Sequence, residues 1–443
     1  MPARSAIRGA MTIAFAQSVC VLYILIWCLF PPLAIDAVWR YGLVAAFGAW
    51  CCLEGLRNGF QRFANGPAGW TLLFLSYTVV IQLMVGGFAE VVRGIQLHIA
   101  LACALVAIAY RGRRFQELEW LIAPVLVLMA ITLIKTLSAL LGDPHAARTV
   151  VRTSPEALSL LRSGVGGYQT VYVCAVLAPL FLVFVARGRW VGDALGKAVG
   201  LFMIASVGVV LAGGFGLAVF VLTLASGLAL WAYRGGTRSL VVRTTLVIAA
   251  LGVAVLAYEV VLNGAEHLAE GTKYAKKIDH VRQSLALGEM VGTASDRASR
   301  YVRSVDIFLS SPLFGVLSYE PVGKHSQILD TFARYGVFVG LLGVFILVRL
   351  PGWLLPPLPK GTDHAPIVLS SAAGLFLMFN NATAAHGAAV YLLAPMVAYA
   401  FGRRAFSHKA TFATMQRHGA TALSKGYATA PHMPVNRPPS PQR

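Results

Sequence analysis

Charged residues are scarce in this sequence, and acidic ones are the scarcest. Of 443 residues only 12% are charged, against 57% hydrophobic. A soluble surface needs about 25–35% charged residues, so a soluble multidomain protein is excluded. Asp and Glu total 18 against 37 Lys and Arg, a net charge of +19. In a chain this apolar, that excess does not argue for nucleic acid. Basic loops on the cytoplasmic side of a membrane are the default, and no nucleic-acid partner is expected. Cysteine is also sparse. The six cysteines (20, 28, 51, 52, 103 and 174) all lie in apolar runs without C-x-x-C spacing. They read as small packing residues, not metal or redox ligands. No Walker or Rossmann glycine pattern occurs, so neither ATP nor a dinucleotide is expected.

What the sequence has in abundance is apolar runs of membrane-spanning length. About twelve recur, near 12–30, 38–56, 69–87, 91–110, 119–141, 167–186, 195–212, 214–232, 242–262, 326–350, 366–381 and 387–402. The predicted fold is an all-α polytopic membrane protein of about twelve transmembrane helices. The first run follows a basic start and lacks a convincing small-residue cleavage site. It reads as a retained helix, not a signal peptide.

The connections alternate in character. Short basic ones contain Arg57/Arg62, "RGRR" at 111–114, "RGR" at 187–189, Arg234/Arg238/Arg243 and Arg403/Arg404. The positive-inside rule assigns them to the cytoplasm together with both termini. The resulting divisions are 1–262, an N-terminal bundle of nine spans; 263–325, a long outer loop; 326–402, three further spans; and 403–443, a tail. The tail after Phe401 has seven basic residues, no acidic ones and several prolines. It is expected to be disordered and to touch anionic lipid headgroups.

Two outer connections remain, 142–166 and 263–325. They carry Arg148, Arg152 and Arg162, and Lys273, Lys276, Lys277, Arg282, Arg297, Arg300, Arg303 and Lys324. The rule disfavours positive charge there. Either long loops escape it, or the outer face binds an anion. These loops contain no Asp-x-Asp for a divalent ion. Glu266, His267 and Glu270 form one conceivable metal cluster, but no metal and no cofactor is expected. Glycines 213, 214 and 216 mark a tight outer turn, and Asn380 and Asn381 a helix end. Lys135 in the fifth span either lines a lipid-diphosphate entrance or snorkels to the outer interface.

The stretch "DRASRYVRSVDIFLSSPLFG" spaces Arg297, Arg300 and Arg303 three apart. Ser295 or Asp296 is positioned to cap a helix there, and Pro312 fits its end. At about 100° per residue the arginines cover one arc. Tyr301, Val302, Val305, Phe308 and Leu309 cover the next. Such a helix lies at the membrane interface or against the bundle, its guanidinium groups at phosphate level. Snorkelling to lipid phosphates is the plainer reading. His325 opens the tenth span, with Asp330 and Arg334 after it, four apart on one face. Arg334 must face the bundle interior or a polar cavity. Asp330 and Arg334 read either as a structural pair or as a substrate contact. His325 alone is a weak signal, but its neutral form accepts a proton near neutral pH.

At these residues the chain resembles the O-antigen ligase/polymerase superfamily of bacterial inner-membrane enzymes. The family pattern is an Arg, about fifteen residues, Pro-Leu-x-Gly, a short loop, and His-Asn or His-Ser opening a helix that ends in an aromatic or apolar residue and Gly. Here it reads Arg297, then "SPLFG" with Pro312 and Gly315, then His325-Ser326, Leu329 and Tyr335-Gly336. The match is close over 295–340. "LRSGVGGYQTVY" at 161–172 is similar to the family's earlier periplasmic Arg and points to Arg162. Two departures stand out: "GVLS" replaces the usual Gly-x-Gly, and Ser326 stands where ligases more often have Asn. The second favours the Wzy-type polymerase branch, whose members often show His-Ser-x-x-Leu-Asp.

The resemblance implies a metal-independent, inverting glycosyltransferase acting at the periplasmic face, with a GT-C-like architecture. The donor would be an undecaprenyl-diphosphate-linked glycan and the acceptor a sugar hydroxyl. Membrane lipids would surround the chain, and a chain-length regulator is a candidate partner. His325, Arg297 and Arg162 are assigned catalysis. Arg300, Arg303, Arg152 and Lys324 are assigned the diphosphate, with Asp330 and Arg334 in support. The alternatives are an O-antigen ligase, which moves polymer to lipid A-core, and a transporter of lipid-linked sugars. Inverted repeats and broken helices inside the spans would favour the transporter.

Overall fold

The computed structural model describes residues 2–64, 66–143, 145–150, 154–186, 194–213, 224, 227–228, 275–287, 293–318, 322–323, 325–354, 365–380 and 383–400. Among them there is no β-strand. The helices are α1 (Pro2–Leu29), α2 (Pro31–Ile35), α3 (Ala37–Asn58), α4 (Gln61–Ala64), α5 (Gly66–Ala109), α6 (Glu119–Gly142), α7 (Ala146–Thr149), α8 (Pro155–Arg162), α9 (Tyr168–Ala186), α10 (Ala194–Gly213), α11 (Ala275–Leu287), α12 (Thr293–Ser310), α13 (Gln327–Leu354), α14 (Ala365–Asn380) and α15 (Ala384–Gly387). A π-helical stretch, Ala388–Leu393, continues α15 towards residue 400.

Local chemistry explains several boundaries. Pro31 and Pro32 lack the N–H that α1 would need, so α1 stops at Leu29 and the prolines open α2. The Asp36 carboxylate accepts the Val38 N–H at 2.8 Å and caps α3. Gly59, at φ +64°, closes α3 by donating to the Gly55 carbonyl at 3.0 Å. α5 has 44 residues. Straight, it would be about 66 Å long, roughly twice a bilayer's hydrocarbon thickness. It is broken at Gly87 (φ +62°, ψ −157°), and the two arms correspond to the apolar runs near 69–87 and 91–110.

Four helical stretches are long and apolar enough to cross a membrane: Met11–Leu29, Gly66–Ala109, Arg114–Gly142 and Gln327–Leu354. Shorter apolar helices are Tyr168–Leu182, Gly196–Val210, Ser370–Phe379 and Ala384–Ala400. Together they make a helical protein suited to membrane insertion. The apolar runs near 214–232 and 242–262, the basic segments at 187–189, 234–243 and 403–404, and the tail lie outside the described residues.

The core is built from the second arm of α5, α6, α9 and the stretch after α15. Small side chains bring the backbones together. Gly387 lies so close to Ala100 that an added Cβ would collide with it. Close approach through small residues is the usual basis of helix association in lipid. Outward-facing Phe15, Met84, Ile204 and Phe338 remain exposed, as a lipid-facing surface requires.

At one end of the bundle, two segments assigned to the same side from their charge do meet. Arg57 makes a forked pair with Glu117 at 2.7 and 2.8 Å. Arg114 does the same with Glu54 at 2.8 and 2.9 Å. Gln17 donates to Glu54 at 2.8 Å. This network ties α1, α3 and the turn before α6 together.

Candidate functional site

The Arg-bearing helix α12 packs on α13, the helix that follows His325. Its seam follows helical spacing: Arg297, Arg300, Ser304 and Phe308 are three or four residues apart. Phe308 meets Phe332 of α13 edge-on at 5.6 Å. Ser304 is buried. Val302, Val305 and Leu309, part of the apolar arc expected to face the membrane interface or the bundle, are exposed. α12 begins at Thr293, so Ser295 and Asp296 lie inside its first turn and do not cap it. Asp296 there is favourably placed against the helix dipole. The helix ends at Ser310, two residues ahead of Pro312, as the proline predicts.

α13 is not continuous. Gly336 has φ +74° and ψ −175°, which splits it after Tyr335. The break deprives the Ala333 and Arg334 carbonyls of their helical donors. Instead, Val316 N–H donates to Ala333 O at 3.0 Å and Leu317 N–H to Arg334 O at 2.8 Å. Val337 N–H, just past the break, donates to Pro312 O at 2.8 Å. Gly315 (φ +69°) permits this approach, since a Cβ on it would collide with the Arg334 carbonyl. The Pro-Leu-Phe-Gly turn and the Tyr-Gly break are therefore one backbone junction.

Ser326 caps α13: its hydroxyl accepts the Leu329 N–H at 3.3 Å and its carbonyl the Asp330 N–H at 2.8 Å. His325 thus sits one residue ahead of the cap, half-buried. Burial lowers its pKa from the ordinary 6.5; the positive charges of Arg300 and then Arg297 push the same way, and Asp330 opposes them. The arginine helix was expected beside His325; Asp330 was expected to pair with Arg334 or to contact substrate. Arg300 and Arg303 are both exposed, and Arg297 is partly buried.

Asp330 is buried and accepts a hydrogen bond from the Ser304 hydroxyl at 2.7 Å. Ser304 accepts in turn from the Gly323 N–H at 2.9 Å. Arg334 is only 5% exposed, facing the protein interior within electrostatic reach of His98 on α5 and beside Tyr335. The Tyr335 hydroxyl accepts from Gln82 Nε2 at 2.7 Å. Its ring packs edge-on against Phe74 at 6.5 Å and Tyr77 at 6.2 Å. The short half-helix 327–335 is thus held on one side by α12 and on the other by the first arm of α5.

Arg297 also reaches electrostatically to Tyr172 of α9, whose ring lies 5.7 Å from that of buried His386. Arg162 is exposed at the end of α8, whose main contacts are with α2 and α7. The loop after it is pinned to α6: Gly166 N–H donates to Thr136 Oγ1 at 2.7 Å. Lys135 is exposed, and its stem and Nζ lie beside Gly164. Arg152, Lys324, Glu266, His267, Glu270, Gly214, Gly216 and Asn381 lie outside the described residues, while Gly213 and Asn380 end α10 and α14.

Sequence reasoning overlooked Ser304, Tyr172 and His386. The Arg297–Arg300–Ser304–Phe308 spacing was the available signal for the first; nothing local marks the other two. Chemically, the arrangement offers the partly buried Arg297 and the exposed Arg300 within electrostatic reach of the half-buried His325 imidazole, on a helix seam fastened by the buried Ser304–Asp330 hydrogen bond. No family model matches the chain, and no curated protein is significantly similar to it.

Proposed function

We propose that the chain is an inner-membrane polysaccharide polymerase with about twelve spans, both termini cytoplasmic and its active site facing the periplasm. It transfers an undecaprenyl-diphosphate-linked glycan onto an acceptor sugar hydroxyl. The observation that carries this reading is the gathering of Arg300 and Arg297 around His325 at one end of α13. The breaks at Gly87 and Gly336 lie inside apolar helices, a feature of the transporter alternative that the sequence did not lead us to expect, but the charges collect at a helix end instead of midspan. The acceptor hydroxyl oxygen attacks the anomeric carbon from the face opposite the diphosphate. The C–O bond to phosphate breaks, and its electron pair leaves with the lipid diphosphate. The hydroxyl proton passes to the His325 imidazole, which its cationic neighbours keep neutral and ready. Arg297 and Arg300 stabilise the charge gathering on the leaving group. Arg303 and Arg162, both exposed, and Arg152 and Lys324 extend the anion-binding surface in this reading.

The ligase is the second reading. Ser326 acts as a helix cap, and Asn serves that role equally well. This residue alone therefore does not separate the branches. The polymerase stays first on the wider His-Ser-x-x-Leu-Asp pattern, which His325, Ser326, Leu329 and Asp330 match. A polysaccharide gel on a strain lacking the gene tests the choice. Core with a single repeat means a polymerase. Bare core with lipid-linked polymer retained in the membrane means a ligase. An unchanged O-antigen ladder together with unchanged capsule and exopolysaccharide contradicts the proposal.

A further inference from the structure

Ser304 carries no charge and belongs to no motif, yet it sits where three pieces of the candidate site meet. It is 1% exposed, on the same face of α12 as Arg297 and Arg300. Its hydroxyl donates to Asp330 Oδ1 at 2.7 Å and accepts from Gly323 N–H at 2.9 Å. One partner lies on the His-bearing half-helix and the other in the loop two residues before His325. Gly323 is pressed so closely on the Arg300 carbonyl that a Cβ there would collide with it. A single hydroxyl thus fastens the arginine helix to the segments on both sides of His325.

We propose that Ser304 is a positioning residue that sets the placement of Arg297 and Arg300 against His325. The proposal rests on the functional reading above for its meaning, but not for its test. A hydroxyl bonded to a carboxylate in a buried site is stronger than an ordinary neutral pair. Removing it leaves the Asp330 carboxylate short of a donor and the Gly323 N–H without its acceptor, both buried and so costly. The seam then loses this polar lock, while the Phe308–Phe332 contact remains. Misplacing such groups by about 1 Å costs on the order of 10²-fold in rate.

The charged groups that act on His325 are Arg300 and Arg297 from α12 and Asp330 from α13. Tyr172 lies beyond Arg297, with His386 behind it. If Ser304 holds the arginines in place, Ser304→Ala lets their charge recede and leaves Asp330 with fewer donors. The receding positive charge favours protonated His325. Asp330→Asn keeps an oxygen acceptor for Ser304 and removes only the negative charge, which disfavours protonated His325. The two variants therefore move the histidine in opposite directions.

The test uses the full chain in detergent and diethyl pyrocarbonate, which modifies neutral imidazole. Modification of the peptide bearing His325 is followed by mass spectrometry against pH. The expected result is a midpoint shifted up in Ser304→Ala and down in Asp330→Asn. An unchanged midpoint in Ser304→Ala, or the same direction in both variants, overturns the proposal. The readout needs no turnover. Absence of glycosyl transfer in the wild-type protein would sink the functional reading while leaving the positioning result intact. With transfer present, Ser304→Ala is expected to lose about 10- to 100-fold in turnover.

Discussion

Gly315 and Gly336 face each other's backbone: a side chain on the first would strike the Arg334 carbonyl, and one on the second the Leu313 carbonyl. Both have positive φ, +69° and +74°. The junction they form aims the half-helix 327–335, and with it His325, at the arginine helix.

Gly336→Ala is therefore expected to be severe. At φ +74° and ψ −175° Gly336 lies in a region open essentially only to glycine, where another residue costs about 1–3 kcal/mol, and the collision with Leu313 adds to that. Thermal unfolding in detergent should show a clear fall in Tm. Gly352→Ala, where an added Cβ meets nothing, serves as the control and should cost little.

The acid limb of activity should lie below the range of an ordinary histidine. In the proposed mechanism the base is neutral imidazole, and the lowered pKa of His325 keeps it neutral to lower pH. After burial, the Arg300 charge contributes most to that lowering. Arg300→Gln should therefore move the acid limb up in pH while also reducing the maximal rate. A pH–rate profile of both proteins checks the sign.

Tyr335→Phe removes the hydroxyl that Gln82 Nε2 meets at 2.7 Å and leaves a buried amide short of an acceptor. The cost should be about 1–3 kcal/mol, read as a lower Tm. Gln82→Leu in the same background should recover part of it, because the unsatisfied group is then gone. A larger loss in the double variant than in the single one contradicts this reading.

Arg114 and Glu54, far from the site in sequence, predict a purely structural effect. The Glu54 side chain is 0% exposed and forked to Arg114 at 2.8 and 2.9 Å. Arg114→Met strands a buried carboxylate, a loss of about 3–5 kcal/mol. Adding Glu54→Gln should restore much of that stability. Protein level in the membrane and Tm report both steps.

Much of the fold is legible in the sequence because lipid imposes a simple rule, long apolar runs in helices. The runs near 69–87 and 91–110 could be separated at the Gly86-Gly87 pair, where α5 does break. The amphipathic helix around Arg297 follows from its spacing. Its start does not: α12 begins at Thr293, earlier than the polar residues Ser295 and Asp296 suggest. The exposed Val302, Val305 and Leu309 show that an apolar arc reveals a helix without saying whether protein or lipid covers it. The break at Gly336 is visible as a glycine, but its partner Gly315 is found only through the fold. Gln82 and Tyr335 are 253 residues apart, and no local pattern couples them. Ser304 stayed hidden because a serine in an amphipathic helix has no signature until its neighbours are known.

The most direct test of the account is complementation of the deletion strain with His325→Ala and Arg297→Ala proteins. Polysaccharide length and membrane protein level are measured together. The account predicts normal protein levels with glycan transfer reduced about 10²-fold or more. Near-normal transfer in both variants would contradict the assignment of this site.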